Sequence, residues 1–158
     1  MLNVVLFEPR IPQNTGNIGR LCVLTGCRLH LIEPLGFSLD ARHLRRAGLD
    51  YWEHLPLRVH GTLAEFLEYV NFQKGTLCGI TTKARRPYTQ IPVDGGPLFV
   101  IFGREDTGMT EALHGACGEK RYRLPMRECS SCRSMNLSSS VAVVVYDILR
   151  RQGFSELL

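Results

Sequence analysis

The strongest constraint on the fold of this chain is alternation. Short apolar runs of strand length, closed by Gly, Pro or an acidic residue, take turns with longer segments of helical spacing. Leu2-Asn3-Val4-Val5-Leu6-Phe7 ends at Glu8-Pro9 and predicts a buried strand. Asn14 is placed to cap a helix running through Cys22 to Thr25 and stopped by Gly26. Residues 29–32 predict a second strand, and Asp40 opens a short basic helix over 41–47. Thr62 caps a helix whose Leu63, Phe66, Leu67 and Val70 share one face. Strands are expected at 76–81 and 98–102, then a brief helix over 110–117 and a short run at Tyr122-Arg123-Leu124. The valine-rich segment 136–151 has strand propensity, but its length, its serine-rich start and its Arg150-Arg151 end predict a final helix. Strands that follow one another through helices pair in parallel, so the class is α/β, a parallel sheet with helices on both faces. Its 158 residues fit one domain, 1–158.

Composition removes several alternatives. With 44% apolar and 22% charged residues, the chain is no disordered polymer. No apolar run approaches the roughly 20 residues of a membrane span. Glu8 and Pro9 stand where the apolar stretch of an export signal would continue, so a cytoplasmic location without membrane contact is expected. Six cysteines in that setting are not a disulfide framework. Cys22, Cys27, Cys78 and Cys117 sit among apolar or small neighbours and are expected to be buried. Cys129-Ser-Ser-Cys132 has redox or metal spacing, yet no second pair completes a zinc site, and no metal is expected. The five histidines are scattered, and no Ser-His-Asp arrangement is legible.

The net charge of +4 is concentrated. Sixteen of the nineteen basic residues are arginine, the side chain suited to phosphates and base edges. Residues 10–46 hold six arginines against Glu33 and Asp40, which accounts for the whole surplus. A solvated face and a nucleic-acid surface both fit that count.

Two glycine-rich stretches follow strands, where open α/β sheets bind ligands. Asn14-Thr-Gly-Asn-Ile-Gly-Arg20 lacks the first glycine of the dinucleotide fingerprint, and Gly103-Arg-Glu-Asp-Thr-Gly108 lacks the lysine of a P-loop. A third, polar stretch from Leu124 to Ser140 joins a strand to the last helix. Each alone is compatible with a plain turn or a capped helix start.

Together these stretches resemble the SPOUT-type RNA methyltransferases, and more closely the small tRNA (cytidine/uridine-2′-O-)-methyltransferases of the wobble nucleotide. The resemblance runs through residues 1–9, 14–20, 45–51, 81–83, 102–105 and 133–138. It implies a trefoil knot in the C-terminal half, S-adenosylmethionine as cofactor, and the tRNA anticodon stem-loop as partner. Ile80, Gly103, Leu124 and Ser134 match positions that grip the cofactor, and Glu105 and Asn136 match polar residues that shape the site. Glu105 is counted with the cofactor positions. Arg20 matches an arginine at the target ribose, so Arg20 and Asn136 are the expected catalytic pair. Arg42, Arg45 and Arg46 are expected on the tRNA backbone. A last helix apolar nearly all round needs cover on two sides; with the resemblance, this predicts a homodimer with Tyr146 at the interface.

Two departures stand out. The third loop carries about two extra residues around the Cys129–Cys132 pair, and Arg104 occupies a position where Pro or Ser is common, which is expected to alter substrate contacts. Methylation of another RNA site, or a non-catalytic RNA-binding role, remains compatible with the same residues.

Overall fold

The computed structural model describes residues 1–40, 50–131, 133–155 and 157. Seven strands form one sheet: β1 (Leu2–Phe7), β2 (Arg28–Ile32), β3 (Leu57–His60), β4 (Thr76–Ile80), β5 (Arg86–Pro87), β6 (Leu98–Phe102) and β7 (Arg121–Arg123). Their order is β3-β2-β1-β6-β4-β7-β5, and each pairing is parallel. Among the described residues there are four α-helices: α1 (Pro12–Thr25), α2 (Leu63–Phe72) and α3 (Glu111–Cys117) lie between strands, and α4 (Leu137–Arg151) follows β7.

The register explains why the central strands are apolar at nearly every position. Leu2, Val4 and Leu6 of β1 pair with Leu98, Val100 and Phe102 of β6, and these join Ile18 and Cys22 of α1 with Val141, Val144, Val145 and Ile148 of α4 in one core layer. The alternate residues Val5, Phe7, Phe99 and Ile101 belong to a second layer with Phe66 and Val70 of α2 and Leu113 and Cys117 of α3. Both faces are therefore covered, as a parallel sheet requires.

Asn3 interrupts the apolar run of β1. It is buried and begins a polar chain: His30 Nε2 lies 3.1 Å from Asn3 Oδ1, and His30 Nδ1 lies 3.0 Å from His60 Nε2. The Asn3 amide nitrogen donates to the Leu98 carbonyl (3.2 Å), which leaves its oxygen to accept from His30. The His30 ring is then neutral with its proton on Nε2, and His60 donates to it from its own Nε2. Burial is the main cause that lowers the His30 pKa, to about 3, and also lowers that of His60.

Local capping places most helix starts as expected. Thr62 accepts from the Glu65 amide, Thr110 from Leu113, and Asn136 from Ser138 and Ser139. The start of α1 differs. Its N-cap is Ile11, which makes no side-chain cap bond, with Pro12 at the first helical position. Asn14 lies inside the first turn and is buried, so its side chain is free for another task. Strands β3 and β5 were not expected: β3 reads Leu-Arg-Val-His at a sheet edge, and β5 has two residues. The expected basic helix over 41–47 lies outside the described residues. Among the described residues, no helix is long and apolar enough to cross a membrane. Cys22, Cys27, Cys78 and Cys117 are buried, and burial raises each thiol pKa, that of Cys78 to about 11 and that of Cys117 to about 12.

Candidate active site

Connections from β1 run to one side of the sheet and those around β4 and β7 to the other, so loops diverge at the carboxyl ends of the central strands. A cleft opens there. It has a volume of about 420 Å³ and is walled by the loops after β4, β6 and β7 together with the start of α4. Ile80, Gly103, Glu105, Leu124, Ser134 and Asn136 all line it. Six of the seven positions matched to cofactor grip and chemistry thus converge from three separate loops, although 56 residues separate Ile80 from Asn136 in the chain.

The loop after β6 is a tight hairpin. Arg104 and Gly108 exchange backbone hydrogen bonds of 3.0 and 2.9 Å, and Gly108 adopts a φ of 71°, in the left-handed region that favours glycine. Gly103 is required for a different reason: a methyl group on it would overlap the backbone of Gly108 and Met109. The departure Arg104 is held within the protein. Its guanidinium meets Asp106 through Nη2 (2.8 Å) and Nε (3.0 Å), and Glu8 through Nη1 (3.4 Å). The bond from Arg104 is the main cause lowering the Asp106 pKa, to about 2. Glu8 also lies 3.7 Å from Arg10, so a row of alternating charge joins the end of β1 to the hairpin.

Glu105 ties this hairpin to α1. Its carboxylate accepts from the backbone amides of Arg10 (2.8 Å) and Ile11 (3.1 Å) and from the Asn14 side-chain amide (3.3 Å). The negative charge sits at the helix N-terminus that lacks its own cap, where unpaired N–H groups and the helix dipole favour it. Asn14 Oδ1 accepts in turn from Asn136 Nδ2 (3.0 Å), and Asn136 Oδ1 accepts from the Ser138 amide (2.9 Å) at the start of α4. One chain of side chains therefore links three segments that are distant in sequence. The capping propensity of Asn14 was visible in the sequence; its bridging position was not, because both partners are remote.

Arg20 does not line this cleft. It is an exposed residue of α1, and its Cζ lies 4.9 Å from the centroid of the Tyr51 ring. The Tyr51 hydroxyl donates to the carbonyl of Gly16. The glycine-rich segment is helical throughout, and its Gly19 acts as a seat. A methyl group on Gly19 would approach Trp52 Cζ3 to 3.1 Å and Leu55 Cδ2 to 3.2 Å. The 3-10 turn Asp50–His54 thus lies directly against α1. A glycine inside a helix costs about 1 kcal/mol in helix propensity, and at Gly19 it makes room for the Trp52 ring and the Leu55 side chain. Tyr51 and Trp52 are the residues whose part here the sequence did not reveal.

Tyr146 is 48% exposed on α4, beside exposed Val143 one turn away. Arg42, Arg45 and Arg46 lie outside the described residues, as does Cys132. Arg28 is in the same basic stretch, and its guanidinium donates to the Tyr69 hydroxyl (3.3 Å). Among the described residues, no group of His, Cys, Asp and Glu is placed to hold a metal ion.

Residues 1–146 match the SpoU rRNA Methylase family. A tRNA (cytidine(34)-2′-O)-methyltransferase of Escherichia coli K12 is 46% identical over 155 residues, which cover 98% of this chain and 96% of that one. A solved structure described as giving insight into 2-OH methylation of C/U34 on tRNA has a TM-score of 0.85 at 34% identity, covering 98% of this chain and 97% of that one. The methyltransferase AviRb of Streptomyces viridochromogenes, solved with AdoMet, shares the fold at 19% identity, with a TM-score of 0.83 over 98% of this chain and 62% of its own.

Proposed function

This chain belongs to the SpoU rRNA methylase family, and on that premise we propose that it transfers a methyl group from S-adenosylmethionine to the ribose 2′-hydroxyl of nucleotide 34, the wobble cytidine or uridine of tRNA. The observation that carries this reading is the convergence of Ile80, Gly103, Leu124, Ser134 and Asn136 on one cleft. It is joined to the near full-length similarity to a protein named for that reaction.

The cleft suits the cofactor chemically. Ile80 and Leu124 are apolar and nearly buried, a wall fit for a flat base, while Thr81, Ser134 and Asn136 offer polar groups at its side. Gly103 keeps the hairpin backbone close enough for its amides and carbonyls to do the gripping. S-adenosylmethionine bound there supplies a methyl group activated by its sulfonium. The protein's own share is placement, which can supply about 7–11 kcal/mol, and management of charge on the ribose oxygen.

Arg20 serves that charge. A guanidinium stays protonated in a protein, so Arg20 is no base; it faces the developing alkoxide and the adjacent phosphate. The hydroxyl proton leaves to an oxygen of phosphate, backbone or water. Asn136 holds the third loop in register with α1 through Asn14. Because Arg20 lies off the cleft of its own copy, a second copy completes the site. Leu24 on α1 (69% exposed) and Val143 and Tyr146 on α4 give the homodimer an apolar face. Arg42, Arg45 and Arg46 meet the anticodon stem-loop, and the 158-residue domain works in the cytoplasm.

The test is mass spectrometry of nucleosides and mapped fragments after incubating the protein with S-adenosylmethionine and total tRNA lacking the mark. One 2′-O-methyl group at nucleotide 34 is expected. Cofactor binding without any methylation, or a mark at another position, overturns the reading.

A further inference from the structure

We infer that Tyr51 is a positioning residue for the methyl transfer, holding Arg20 by an aromatic face so that every N–H of its guanidinium stays available to the RNA. This rests on the assignment of Arg20 to the target ribose. Arg20 is exposed on a helix, where a long side chain would sample many rotamers. An acidic partner would restrain it but would also occupy its donor edge and cancel its charge. Among the described residues no carboxylate pairs with Arg20. The group that meets it is the Tyr51 ring, at 4.9 Å. A cation over an aromatic face is attracted through the π-cloud, and its five N–H donors, which lie in the guanidinium plane, are left for phosphate or ribose oxygens.

The ring is itself held. Its hydroxyl donates to the Gly16 carbonyl, one helical turn before Arg20. Its neighbour Trp52 packs in the space left by Gly19, and the Leu55 amide closes the turn on the Trp52 carbonyl at 3.1 Å. Gly16, Gly19 and Arg20 stand at i, i+3 and i+4, so they share one helix face. The space at Gly19, the Gly16 carbonyl and Arg20 therefore form one device: a seat for the turn at residues 50–54 and the side chain that the turn aims.

The experiment is a double-mutant cycle on the full-length protein. It measures turnover on total tRNA at saturating S-adenosylmethionine, the affinity for S-adenosylmethionine by calorimetry, and the melting temperature. Tyr51→Leu should lower kcat by a factor of about 3–30, the rate equivalent of a cation–π contact, with cofactor affinity unchanged within about twofold. Tyr51→Phe and Tyr51→Trp keep a face for the cation and should retain most of the turnover, even where they lower the melting temperature as much as Tyr51→Leu does. In an Arg20→Ala background, Tyr51→Leu should change the remaining rate by less than about twofold. Equal losses in both backgrounds, or full turnover in Tyr51→Leu, overturn the positioning role while leaving Arg20 in place. Parent-like turnover in Arg20→Ala removes the Arg20 assignment itself and this inference with it.

Discussion

Replacing Glu105 with alanine tests whether a side chain from the β6 hairpin does the capping that α1 cannot do for itself. The carboxylate accepts from two backbone amides, at 2.8 and 3.1 Å, and from Asn14 at 3.3 Å. Loss of a helix cap costs about 1–2 kcal/mol, and loss of a negative charge at the helix N-terminus adds about 0.3–1 kcal/mol. The bonds are partly open to solvent, so water replaces some of them, and the net loss is set at about 1–2 kcal/mol. For a chain of this size that corresponds to a fall in melting temperature of about 2–8 °C. Glu105→Gln keeps one accepting oxygen but turns its amide donors toward a second N–H, and about half the effect is expected. Thermal unfolding gives the magnitude, and hydrogen exchange gives the place: the amides of Arg10 and Ile11 should lose protection first. A Glu105→Ala protein that melts within about 1 °C of the parent, with both amides as protected as before, would refute the assignment.

Two further outcomes follow from the core and the cleft. His30 and His60 are neutral and buried, with His30 held down to about 3, so below about pH 6.5 the unfolded chain takes up protons that the folded chain does not. Stability is therefore complete above about pH 6.5 and falls as the pH drops toward 3, by at most about 1.4 kcal/mol per pH unit for each histidine. Urea unfolding of the parent and of His30→Gln between pH 7 and 5 checks this: the variant should show the shallower slope, and equal slopes would remove the histidine pair as the cause. Gly103→Ala places a methyl group against the backbone of Gly108 and Met109, which has no flexible end to move aside. Calorimetry should then show at least a hundredfold loss of S-adenosylmethionine affinity, and parent-like binding would mean that the hairpin is not the cofactor's wall.

What the sequence disclosed was whatever depends on near neighbours. Strands β1 and β6 are apolar runs with sharp ends, and α2, α3 and α4 begin at Thr62, Thr110 and Asn136, whose side chains bond amides two or three residues on. The α/β class follows from their order. The start of α1 was misread because Asn14 is a good local cap, whereas the actual partner, Glu105, is 91 residues away. The edge strand β3 has a mixed Leu-Arg-Val-His pattern, set by pairing with β2 rather than by periodicity. The cleft residues were found through resemblance; no spacing rule brings Ile80, Gly103 and Leu124 together without the strand order. The glycines at 16 and 19 suggested a ligand turn, because the aromatic turn that Gly19 seats is some thirty residues further along.

The hydrogen-bonded line Glu105–Asn14–Asn136 makes the cleft and α1 thermodynamically one object. On the proposed function, a cofactor held by the third loop and an RNA held at α1 would draw on the same few bonds. Whatever factor one ligand applies to the affinity of the other, it must receive in return. The relation also governs departure: once the methyl group has moved, any weakening at the cofactor end is felt at the RNA end. On the proposed function, release of the two products would be coupled through two asparagines and one glutamate.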